Sequence, residues 1–192
     1  PSLVADTRLE AKSGSTRFEF TYQPDALPFR LLDAYEKVDA LVNFTEQFNR
    51  EMLTVTGLAA GHYDLEMDGV TLGRYEATDL AQGVNIATNR ESPTQKQSLA
   101  VAELVHQRAA LALTLRDILY VVLRLEKAGA AADDVEAARE LLGDSNARFQ
   151  KFVEHRTRQP EIESQIAALT DEIYKANRPK LVRARLVTPG PE

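Results

Sequence analysis

His62-Tyr63-Asp64-Leu65-Glu66-Met67-Asp68-Gly69-Val70-Thr71-Leu72-Gly73-Arg74-Tyr75 decides how the first half of this chain folds. Tyr63, Leu65 and Met67 alternate with Asp64, Glu66 and Asp68, the period of two that a half-buried strand requires. Asp68-Gly69 supplies a tight turn, because both residue types tolerate positive φ. Val70–Tyr75 then returns as the second arm of a hairpin. Upstream, Thr16–Tyr22 puts Phe18, Phe20 and Tyr22 on one face, and Pro24, Asp25 and Pro28 then break the chain. Met52–Thr56 reads as a further short strand, with a turn over Gly57–Gly61. Residues 1 to about 77 therefore read as strands and turns, which predicts a small sandwich or half-barrel.

Beyond the hairpin the period changes to that of helices. Thr78 is the expected cap of a short helix that Gly83 ends. Ser92-Pro93 opens a long one: Ser92 suits the N-cap, Pro93 the first helical position, and Gln95 completes a capping box. Leu104, Leu111, Leu115, Ile118, Val122 and Leu125 form one apolar stripe reaching about Lys127. Asp133 and Asp134 mark the start of a second helix with the stripe Val135, Ala138, Leu142, Phe149 and Phe152. Pro160 starts a third, with Ile162, Ile166, Leu169 and Ile173 inward, and Pro179 stops it. Lys180–Val187 alternates as a final strand or tail. The predicted class is α+β: a small antiparallel β-sheet or sandwich, then an antiparallel bundle of about three long helices. The division falls into a β-rich subdomain, 1–90, and a helical subdomain with a short carboxyl-terminal strand or tail, 91–192.

Composition narrows the partners. The 192 residues carry a formal charge of -6 without a long basic run, which argues against nucleic acid. There is no cysteine, so disulfides and thiolate metal sites are excluded. The most apolar runs, Ala109–Leu115 and Ile118–Leu123, fall far short of the ~20 residues of a membrane span. No leader sequence is visible. The chain begins with Pro1, which suggests a processing site or a cut.

Several segments resemble chemistry by their letters. Gly143-Asp144-Ser145-Asn146 spells a GDS nucleophile block, yet Ser145 falls between Leu142 and Phe149 of a helical stripe instead of at a strand end, so the segment reads as a small residue at a helix–helix contact or a local break at Gly143. Asp64, Glu66 and Asp68 resemble half of an EF-hand loop, but its twelfth position, a bidentate Glu, is Tyr75. Glu103 and His106 have di-iron spacing in a single copy, where such bundles need two. The histidines are His62, His106 and His155, and none stands three residues after an Asp. A Ser-His-Asp arrangement is not identifiable. No residue is assigned as catalytic, cofactor-binding or metal-ligating, and no cofactor is expected.

One ordered set of blocks is more specific. It comprises Ala26-Leu27-Pro28-Phe29, Phe44 through Leu58, Gly61 through Gly69, Asp79 through Ala87, and Asp171 through Lys180. Together they resemble the carboxyl-terminal part of a bacterial group of SGNH (GDSL-type) serine hydrolases, over roughly residues 1 to 187. In that group the catalytic half comes first, as a flavodoxin-like α/β domain. It carries the nucleophilic Ser of a GDS block, oxyanion-hole Gly and Asn residues, and an Asp-x-x-His pair. Pro1-Ser2-Leu3-Val4 resembles the segment just after that pair, so no catalytic residue of the family maps onto this chain. Gly83-Val84-Asn85 reads as a helix-ending turn, with Asn85 bonding backbone.

The resemblance implies an accessory, non-catalytic half, inactive alone, that packs on and shapes a catalytic α/β hydrolase half from the same precursor or a separate chain. It also implies a periplasmic or secreted location. Long apolar stripes without obvious cover agree with a missing half. Two alternatives stay open: a glycan-binding module using Tyr22, Tyr63 or Tyr75, and a protein-binding or homo-oligomerising helical unit using Leu111, Leu115 and Ile118.

Overall fold

The structure, a computed structural model, describes residues 4–29 and 41–189. Pro1–Leu3, on which part of the family resemblance rests, lie outside the described residues. The chain forms two compact units: Pro1–Ala102 with Ala176–Glu192, and Glu103–Lys175. Helix α3, Pro93–Lys127, begins in the first and continues into the second.

The first unit holds two sheets. One has the order β1-β3-β6, from Val4–Ser15, Arg50–Leu58 and Val84–Asn85. The other has the order β2-β7-β4-β5, from Arg17–Tyr22, Val182–Val187, His62–Met67 and Val70–Glu76. The expected antiparallel sheet is corrected here: β1 runs parallel to β3, with Leu9 beside Val55. Parallel strands need a long crossover, and the chain between β1 and β3 supplies it. β1 escaped the sequence reading because Arg8, Glu10 and Lys12 dilute its apolar residues, as suits an edge strand. The hairpin forms as read, with Asp68 at φ 47° and Gly69 at φ 81°. The alternating residues of both sheets meet in one core of Tyr22, Leu53, Val55, Tyr63, Leu65, Met67, Val182, Ala184 and Leu186. Each fully buried large side chain contributes about 1.5–3 kcal/mol. The carboxyl-terminal strand β7 lies inside this sheet, between β2 and β4.

Gly57 shows how closely β1 and β3 approach. Its φ is +83°, and a Cβ there would run into the backbone oxygen of Ala11. The first unit also holds the short helices α1 (Phe44–Phe48) and α2 (Ala77–Gln82) and the start of α3. Gly83 ends α2 at φ 104°, as expected. Thr78 does not cap it; the N-cap position is Glu76, which forms no side-chain cap bond.

The second unit contains the rest of α3, then α4 (Val135–Leu142), α5 (Ala147–His155), a 3-10 turn (Arg156–Arg158) and all but the last residue of α6 (Gln159–Ala176). Three long helices are not what forms. The expected second helix breaks in two at Gly143, where φ is 80°. Asn146 then caps α5 by accepting from the amides of Arg148 and Phe149. Much of the stripes read from sequence lines this core: Ile118, Leu125, Ala138, Phe149, Phe152 and Ile162 are buried with Val122 packed against them, whereas Val121, outside the expected stripe, is buried too and Leu104, Leu169 and Ile173 are not among the core residues. No helix among the described residues is long and apolar enough to cross a membrane.

Candidate functional site

Strand parity puts a carboxyl group in the first unit's interior. In β3 the odd positions face inward; Leu53 and Val55 are buried, and Glu51 shares their side at 1% exposure. A buried carboxyl needs hydrogen-bond partners to offset its desolvation. The Tyr22 hydroxyl donates to Glu51 Oε1 at 2.7 Å, and the Thr94 hydroxyl donates to Oε2 at 3.1 Å. Thr94 lies 3.1 Å from the Ser92 hydroxyl, whose oxygen accepts from the Gln95 amide as the N-cap of α3. The expected capping box is thus half formed. The Gln95 side chain turns away and donates to the carbonyl oxygens of Ala87 and Phe29.

Asparagines close the network. Asn85 Oδ1 accepts from the amides of Glu51 at 3.0 Å and Ala87 at 3.1 Å, while its Nδ2 donates to Asn49 O. This is the backbone-bonding role expected for Asn85. Asn49 accepts from the Phe29 amide at 2.7 Å and donates to the Phe29 carbonyl at 3.0 Å. The Ser98 hydroxyl donates to Pro28 O at 2.7 Å. Five separate stretches of sequence are joined here: Tyr22, 28–29, 49–51, 85–87 and 92–98. Burial pushes the Glu51 carboxyl above its ordinary range, against the opposing pull of the Tyr22 and Thr94 hydrogen bonds. Burial, followed by the neighbouring Glu51, raises the Tyr22 phenol as well. Asn49, Glu51, Ser92, Thr94 and Gln95 are buried, so this hub acts as an internal clamp.

The second unit has its own charged centre. Asp117 on α3 is 5% exposed and binds Arg116 at 2.8 Å, Lys151 at 3.0 Å and Arg148 at 3.4 Å. The hydrogen bond from Arg116, then that from Lys151, hold its carboxyl down at about 2. The Arg148 guanidinium lies 4.2 Å from the centre of the Tyr120 ring, and Arg124 donates to the Tyr120 hydroxyl at 2.9 Å.

The segments singled out by their letters take other roles. Ser145 sits in an exposed turn between α4 and α5, not within a helix. His62 lies 3.5 Å from Glu76, and His155 lies 3.5 Å from Glu154. His106 and Glu103 are exposed on α3. Asp64 bonds Arg74 at 2.8 Å, Glu66 bonds Arg185 at 2.6 Å, and Asp68 accepts from the Arg183 amide at 3.0 Å. These acids belong to a cross-strand charge ladder beside an open recess of about 690 Å³, which Glu19, Thr21, Arg183 and Arg185 also line. Tyr22 and Tyr63 are buried and Tyr75 is half-buried, so the glycan platform lacks two of its aromatics. Ile118 is buried, and the partly buried Leu111 and Leu115 pack beside it in the second core.

Sequence reasoning missed Glu51 and Asp117. The available signal for Glu51 was its parity with Leu53 and Val55. For Asp117 it was the four-residue spacing to Val121.

No protein-family profile matches the chain, and no curated protein matches it. Among solved structures, a gut microbial diltiazem-metabolizing enzyme matches with a TM-score of 0.77 at 22% identity. The match covers 97% of this chain and 50% of that one, so this chain spans about half the length of the enzyme it resembles. The class that fold and match define is an α+β chain with the architecture of one half of that enzyme.

Proposed function

We propose that this chain is the accessory half of an ester hydrolase of SGNH (GDSL) type, packing on and shaping a catalytic α/β half carried elsewhere in the same precursor or on a separate chain. One observation carries this reading: nearly the whole chain superimposes on half of a single metabolising enzyme. Three of the sequence blocks that resemble the family, 26–29, 44–58 and 79–87, support it, because Phe29, Asn49, Glu51 and Asn85 from them are hydrogen-bonded together in the folded unit. Acyl transfer needs a nucleophile beside a base, with converging amide donors for the oxyanion. The catalytic half supplies these groups in this reading, and the present chain supplies a rigid support.

The test is hydrolysis of p-nitrophenyl acetate by the isolated 192-residue chain. The expected result is no turnover above buffer. Turnover that disappears in Ser145→Ala would overturn the reading.

A further inference from the structure

The Asp117 centre carries more positive charge than it consumes. Arg116, Arg148 and Lys151 share one carboxylate, and among the described residues Arg124 bonds only the Tyr120 hydroxyl and ring. Among the described residues no second carboxylate pairs with any of these four cations. Their heads remain open to water: the side chains of Arg116, Arg148 and Lys151 are 61%, 45% and 43% exposed. The Asp117 carboxyl, held down at about 2, stays ionised and fixes the three cations in place. Four cations against one anion therefore form a local basic patch on a chain whose net charge is -6.

Apolar side chains lie next to these charges. Leu113, Arg116, Tyr120 and Leu123 follow helical spacing along α3, and Leu113 and Leu123 are 48% and 56% exposed. We infer that this face of the second unit docks an acidic segment of a protein partner, one that carries apolar side chains among its Asp and Glu residues. Charge complementarity selects the acids, and exposed Leu113 and Leu123 select the apolar residues. A long polyanion is disfavoured, because it would also feel the chain's net negative charge, and phosphates leave the leucines uncovered. A short segment samples only the patch, since screening limits reach to about 10 Å at 0.1 M salt. The inference does not depend on the ester-hydrolase reading.

The experiment is fluorescence anisotropy at low salt, with a short labelled peptide of Glu residues and interspersed Leu as the probe. Arg148→Gln and Arg124→Gln are each expected to weaken binding about threefold or more, and Leu123→Ser to weaken it as well. A denaturant midpoint unchanged in these three variants separates lost docking from lost folding. Arg124 does not touch Asp117, so its variant carries the test if the centre is disturbed. Absence of peptide binding overturns the inference. So does tighter binding to duplex DNA or to anionic vesicles, an all-Glu peptide binding equally well, or no response to Arg124→Gln.

Discussion

Two buried carboxyls in this chain titrate with opposite sign. The Glu51 carboxyl is raised from its ordinary 4.5 by burial. Its folded state therefore keeps the proton longer than its unfolded state. The resulting stability is fully present below the ordinary value and is lost as pH rises through the raised one. Denaturant midpoints of the first unit are expected to fall with rising pH across this window, and Glu51→Gln to flatten that slope. A slope unchanged in Glu51→Gln would show that another group titrates. Glu51→Ala is expected to cost about 2–4 kcal/mol, because it opens a cavity and strips the Tyr22 and Thr94 hydroxyls of their acceptor. Asp117 behaves in the opposite way. Its carboxyl is lowered from 3.8 to about 2, so its stabilisation is present above the ordinary value and is lost as pH falls through about 2.

At the scale of elements, caps decide where helices begin and end. Gly143-Asp144-Ser145-Asn146 spells a nucleophile block, but its structural content is a stop and a start. Gly143 takes the positive φ that ends α4, and Asn146 accepts the first amides of α5. Asn146→Ala is expected to lower stability by about 1 kcal/mol, measured by chemical denaturation. An unchanged midpoint would show that the core contacts of Phe149 and Phe152 fix α5 without its cap. The stripe through Val135, Ala138, Leu142, Phe149 and Phe152 was legible because both short helices face one core. The break was legible only as one of two readings of Gly143, because periodicity counts apolar spacing and does not fix the φ of a single residue. The hairpin at Asp68-Gly69 was legible for the converse reason: alternation on both arms and a turn tolerant of positive φ agree within one short segment.

At the scale of the molecule, each unit has its own apolar core, and the two cores share no residue. Calorimetry is expected to resolve two transitions, with Glu51→Ala lowering one and Asp117→Ala the other. A single transition moved equally by both variants would contradict independent cores. Sequence alone determined what is local: the hairpin, the apolar stripes, the Ser92 cap, and the backbone-bonding turn at Asn85. It could do so because alternation and helical period act over a few neighbouring residues. Only the tertiary structure decided the parallel pairing of β1 with β3, the place of β7 between β2 and β4, the Glu51 clamp and the cations around Asp117. Each joins residues distant in the chain, and their energies arise from burial and from partners that no local pattern encodes.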